Sequence, residues 1–109
     1  MTSHLREKSC EACEGIGQAL SPDQIQHLLP QVDKGWEVKN DQILFREFKF
    51  KNFYETMAFV NAIAWIANQE NHHPDLEVGY NYCRVQWMTH ALQGLSQNDF
   101  ICAAKIDHL

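Results

Sequence analysis

Positive charge is scarce in this 109-residue chain: nine Lys and Arg stand against 14 Asp and Glu, for a formal net charge of −5. Non-specific nucleic-acid binding relies on clustered Lys and Arg, so that class of function is not expected. Long apolar runs are missing too. No stretch approaches the ~20 residues of a membrane-spanning helix, so no membrane partner is expected. Residues 1–8 carry charge with no apolar stretch behind them, so no signal peptide is expected and a cytoplasmic location is. The four cysteines then read as reduced thiols rather than a disulfide framework. Repeats and low-complexity tracts are absent as well.

What is present suits one small folded domain. Apolar residues make up 45%, with six Phe and three Trp, enough for a single core. A domain this small gains stability from oligomerisation. Residues 1–20 are polar and broken by Gly15 and Gly17, and are expected to be a flexible tail, leaving 21–109 as the domain. Cys10 and Cys13 form C-x-x-C in that tail. A structural zinc site needs four ligands, usually as two close pairs, and Cys83 and Cys102 form no second pair. A thioredoxin-like site would follow a strand. Two incidental thiols are the expectation, and no metal.

Ser21-Pro22-Asp23 opens a short helix, which Pro30 stops. Residues 36–39 and 43–50 read as two strands around the turn signal Asn40-Asp41. The apolar phase of the second shifts between Phe45 and Phe48, which points to a bulge. Residues 52–70 form the strongest helix, with Phe53, Met57, Val60, Ile63, Ala64 and Ala67 as its core stripe. Residues 76–80 and 83–89 make a second hairpin. Ser96 caps a last helix with Phe100, Ile101, Ala104 and Ile106 on its apolar side. The order implies an α+β fold: a four-stranded antiparallel sheet with three helices packed on one face.

The chemistry concentrates in His72-His73-Pro74 and His90. Proline disfavours helix at His73, so the pair sits at or just after a helix end. The hairpin between runs out and back with arms of similar length, which makes a cluster of the three imidazoles plausible. Each ionises near neutral pH, at ~6.5 when unperturbed. Three readings stay open on the residues alone. Paired imidazoles can remove one proton and deliver another. Three imidazoles and a water can hold zinc, although adjacent side chains diverge and no H-E-x-x-H is present. The plain alternative is surface or structural histidine. Glu70 and Asp75 flank the pair, and a carboxylate can orient an imidazole. Trp36 and Trp87 read as core, and Asp99 as part of a capping box after Ser96.

Asn71-His72-His73-Pro74, Tyr80-Asn81, Thr89-His90, Gly94-Leu95-Ser96 and Asp99-Phe100 together resemble the signature of the pterin-4a-carbinolamine dehydratases. The match spans roughly residues 35–107, and Trp36 matches a tryptophan at the start of the family's first strand. The tail around Cys10-Glu11-Ala12-Cys13 resembles that of bacterial members.

The resemblance implies the fold above and a lyase activity. Water leaves 4a-hydroxytetrahydrobiopterin to give quinonoid dihydropterin, recycling tetrahydrobiopterin for aromatic amino-acid hydroxylation, with no cofactor. It implies a homodimer or homotetramer with strand pairing across the dimer, and a pterin-dependent phenylalanine hydroxylase as a candidate partner. Animal members also serve as dimerisation cofactors for a transcription factor, so a non-enzymatic regulator is the alternative, with a three-histidine metal hydrolase behind it. The catalytic residues carry over onto His72, His73 and His90, and the substrate-binding residues onto Asn71, His72, His73, Met88, Thr89, His90 and Ala91. His73 and His90 are expected to be the principal acid–base groups, with His72 binding and orienting the pterin. Two positions depart from the pattern. Asn71 stands where many members have an acid, and Asn68 where animal members have glutamate. Glu70 is then the candidate orienting carboxylate.

Overall fold

The computed structural model describes residues 4–12 and 17–109. Cys13 and Gly15, on which two of the expectations for the tail rest, lie outside the described residues. The elements are α1 (Pro22–Leu28), β1 (Glu37–Lys39), β2 (Ile43–Lys49), α2 (Phe53–Glu70), β3 (Asp75–Val78), β4 (Tyr82–Trp87) and α3 (Gln97–Ile106). Short 3-10 turns cover Leu5–Glu7, Leu29–Gln31 and His90–Leu92. The strands form one antiparallel sheet in the order β1-β2-β4-β3. This is the α+β architecture that the sequence predicts.

Local chemistry explains most element ends. Ser21 and Gln24 close a reciprocal capping box on α1, with Pro22 at its first position. Asn40 and Asp41 both take positive φ in the first hairpin, which Asn and Asp tolerate better than most residues. Asn52 caps α2 by accepting the Glu55 N–H at 2.9 Å. Gly79 leaves room for the Tyr82 ring, which a Cβ there would displace.

The two central strands carry the core. Leu44, Arg46 and Phe48 of β2 pair with Trp87, Val85 and Cys83 of β4, so all six share the helix-facing side. The expected bulge does not occur, because β2 pairs with β4 residue for residue from Leu44 to Lys49. The apparent phase break is Arg46, a cation in an inward-facing position. Its guanidinium lies 2.9 Å from Asp107 and 3.3 Å from Asp33, and it stacks over Phe48. Asp107 also accepts the Trp36 indole N–H at 2.8 Å. On the opposite side of the sheet Arg84 bridges Glu47 and Glu77, at 2.8 Å each.

The buried face of α2 is rotated from the expected stripe. Thr56, Ile63, Ile66 and Ala67 are buried, with Phe59 and Val60 against them. Phe53 is 50% exposed and Ala64 faces solvent. Thr56 explains the rotation: its hydroxyl reaches the Asn52 and Tyr80 carbonyls at 2.9 and 3.0 Å, so a polar residue sits satisfied on the core side.

α3 is buried on nearly every side, from Asn98 to Ala104 and again at Ile106. The sheet and α2 do not cover such a helix alone. The described part of the segment expected to be a flexible tail covers the rest. Leu5 enters the core, the Arg6 carbonyl accepts from Lys105 at 2.6 Å, and Glu11 exchanges two hydrogen bonds with Asn98. Among the described residues no helix is long and apolar enough to cross a membrane.

Candidate active site

The end of α2 aims the histidine pair. Asn71 takes a left-handed conformation (φ 50°, ψ 43°) and closes the helix, a role asparagine fills well. The His72 N–H still reaches the Ala67 carbonyl at 3.1 Å. The chain then leaves in extended form through Pro74. Successive side chains diverge, and His72 points inward while His73 points out.

His72 is only 6% exposed, and its ring lies flat on Trp87, with centroids 5.5 Å apart and planes 8° from parallel. Its Nε2 meets Asp99 Oδ1 at 2.7 Å. The other oxygen of Asp99 accepts the Thr89 hydroxyl and the Ser96 N–H, both at 2.9 Å. With its proton given to Asp99, Thr89 accepts from the Ser96 hydroxyl at 2.7 Å. Asp99 is fully buried, and three donors satisfy its carboxylate. The bond to the Asp99 carboxylate puts a proton on Nε2, so that in the neutral ring Nδ1 is the acceptor. Asp99 therefore does two jobs. It caps α3, as expected, and it holds the histidine.

His73 and His90 are exposed. His73 Nε2 lies 3.3 Å from Asn68 Oδ1, and His90 Nε2 lies 3.7 Å from Asp75 Oδ2. His90 sits on the turn after β4, where a bridge between Thr89 and Gly94 folds the chain back.

Asn71, His72, His73, Met88, His90 and Ala91 line one cavity of about 190 Å³. The structure thus brings together six of the residues expected to catalyse or bind. Thr89 stands behind them, its side chain spent on Asp99 and Ser96. Glu70 does not orient a histidine. Its oxygens take the Cys10 N–H at 2.8 Å and Lys105 at 3.7 Å, because the end of α2 turns it toward the N-terminal segment. The orienting carboxylate is Asp99. Its spacing after Ser96 signals a cap, and nothing local signals the contact with His72, 27 residues earlier. Among the described residues no group of three His, Cys, Asp or Glu side chains is placed to hold a metal ion. The Trp87 indole N–H is buried without a hydrogen-bond partner among them.

A cleft with two exposed imidazoles, a third backed by a buried carboxylate, and no large volume suits proton transfer on a small substrate. Comparisons with known proteins identify a family. A sequence model described as pterin 4 alpha carbinolamine dehydratase matches residues 18–109. A Legionella pneumophila protein named "Putative pterin-4-alpha-carbinolamine dehydratase" is 73% identical over 110 residues, covering 100% of this chain and 97% of its own. The crystal structure of a transcriptional coactivator/pterin dehydratase from Brucella melitensis superposes with TM-score 0.78 at 29% identity, covering 84% of this chain and 97% of that one. A pterin dehydratase-like protein identified as a RuBisCO assembly factor in the alpha-carboxysome shares the fold, with TM-score 0.58 at 24% identity over 68% of this chain and 87% of its own.

Proposed function

The chain belongs to the pterin 4 alpha carbinolamine dehydratase family, and from that premise we propose that it dehydrates 4a-hydroxytetrahydropterins by histidine acid–base catalysis. The observation that carries the reading is the single cavity lined by His72, His73 and His90.

The reaction breaks the C4a–O bond. A base takes the proton from N5, an acid gives one to the departing hydroxyl, and a C4a–N5 double bond forms as water leaves. The fixed ring is His72. Its Nε2–H is held by Asp99, so Nδ1 is free to accept, and Asp99 can stabilise the imidazolium that results. We assign His72 as the base. His90, with Asp75 as an ion-pair partner when protonated, is the acid. His73 and Asn71 bind and orient the pterin. This division brings His72, expected on sequence to bind and orient the pterin, into the acid–base pair in place of His73, because it has a carboxylate behind it. Each positioned group supplies ~10²–10⁴ in rate.

Recycling of tetrahydrobiopterin beside a phenylalanine hydroxylase, in the cytoplasm, is the role that this activity would serve. The aromatic row on the outside of α2, with Tyr54 84% and Trp65 66% exposed, favours a homo-oligomer.

The test follows conversion of the enzymatically generated carbinolamine to quinonoid dihydropterin by ultraviolet absorbance. The wild-type chain should accelerate it, and the His72→Ala, His73→Ala and His90→Ala variants should each lose most of that acceleration. A triple variant as active as wild type overturns the proposal.

Its structural relatives include a coactivator and an assembly factor, which favours a second reading as a protein partner. A folded triple variant that still complements a deletion strain would point to that role.

A further inference from the structure

The N-terminal segment brings one thiol against another in α3, and the proposed dehydration uses neither. Cys10 Sγ lies 3.6 Å from Cys102 Sγ. The contact is built rather than grazing. The Cys10 N–H is held by Glu70 at 2.8 Å, its thiol faces the Asn98 carbonyl at 3.7 Å, and Glu11 and Asn98 exchange hydrogen bonds at 3.0 and 2.8 Å. Cys10 is half-buried, whereas Cys102 is fully buried in α3.

We propose that Cys10 and Cys102 are a site of reversible oxidation, joined as a disulfide at the expense of a small-molecule disulfide. The sulfurs need to approach by about 1.6 Å to reach the ~2.05 Å of an S–S bond. The half-exposed Cys10 attacks first. Its thiolate displaces one thiol from the small disulfide and forms a mixed disulfide. Cys102 then attacks the Cys10 sulfur and expels the second thiol. Two protein thiols are oxidised, one small disulfide is reduced to two thiols, and each protein proton ends on a released thiolate. The hydrogen bond with Cys10, and then burial, hold the Cys102 thiol well above the ordinary thiol range. That hydrogen bond is lost once Cys10 is in the mixed disulfide, but burial still disfavours the Cys102 thiolate, so the closing step is slow at neutral pH and faster in alkali. Cys83 is no rival. It lies in the core under the helices, and burial alone pushes it up to about 11.

The bond would tie the segment across the two places that set the site. Glu70 lies two residues before His72, and Asn98 lies next to Asp99. The segment already packs there with both thiols reduced, and oxidation would pin it covalently.

The full-length chain is incubated with oxidised glutathione at pH 7 and pH 9, alkylated in denaturant, digested and mapped by mass spectrometry. A peptide linking Cys10 to Cys102 is expected, forming faster at pH 9. Alkylatable thiols should fall from four to two and return with dithiothreitol. Cys13→Ser should leave the link intact, and Cys102→Ala should stop at glutathione on Cys10. A Cys10–Cys13 link, chains joined to each other, or four unchanged thiols in wild type would overturn the proposal. The readout is covalent, so it stands or falls apart from the dehydratase reading.

Discussion

His72 and His90 line the same cavity under opposite conditions. The His72 ring is buried, stacked on Trp87 and bonded to a carboxylate that is itself fully satisfied. The His90 side chain is 65% exposed, and its carboxylate partner, 70% exposed, lies 3.7 Å away. One histidine is part of the fold and the other is attached to it. The difference teaches where function and stability overlap. A substitution at His72 disturbs a buried network, so any rate effect there comes with a stability effect. Substitutions at His73 and His90 touch exposed side chains, where the two effects should separate.

The largest effect should come from Asp99→Ala. It strips His72, Thr89 and the Ser96 N–H of their common acceptor. Each buried donor left without a partner costs about 1–3 kcal/mol, and here three lose theirs, which a urea titration would read as a large fall in midpoint. Turnover should collapse with it. An Asp99→Ala protein of wild-type stability would mean that the network is not as drawn.

Next come the histidines. His72→Ala should cost about 1–3 kcal/mol because Asp99 loses a donor inside the core, as well as ~10²–10⁴ in rate. His73→Ala and His90→Ala should lose rate on the same scale while stability stays within about 0.5 kcal/mol of wild type. Equal stability losses for all three would erase the contrast between buried and exposed. Thr89→Val sharpens it from behind. The side chain touches no cavity wall, so about 1 kcal/mol of stability should go, with turnover nearly kept.

Most of the architecture was legible because hydrophobic period, caps and turn residues report local structure. Three features were not, each for the same reason. Arg46 looked like a phase break because its partners Asp33 and Asp107 come from distant parts of the chain. Thr56 was not in the expected core stripe, because its second acceptor, the Tyr80 carbonyl, lies 24 residues on. Asp99 looked like a cap and nothing more. A polar side chain buried by a distant partner leaves no mark in its own neighbourhood. The histidines stood out because residue type, unlike burial, is written in the sequence, and all three line one cavity. The N-terminal segment is a similar case. Its composition is that of a tail, and only the otherwise uncovered side of α3 shows what it packs against.

The smallest predicted effect tests the exposed side of the comparison. Asp75→Asn removes the carboxylate beside His90 and keeps its shape. Asp75 is the first residue of β3, an edge strand, and its side chain is mostly exposed. Solvent screens such a pair, and exposed ion pairs contribute roughly 0–1 kcal/mol. Stability should therefore not move measurably in a urea titration. If His90 is the acid and Asp75 partners its protonated form, turnover should fall by no more than about fivefold, the rate equivalent of 1 kcal/mol. Asp75→Asn combined with His90→Ala should then be no slower than His90→Ala alone, because the carboxylate acts only through the imidazole. Independent losses would place Asp75 against the substrate itself and move the acid elsewhere in the cavity.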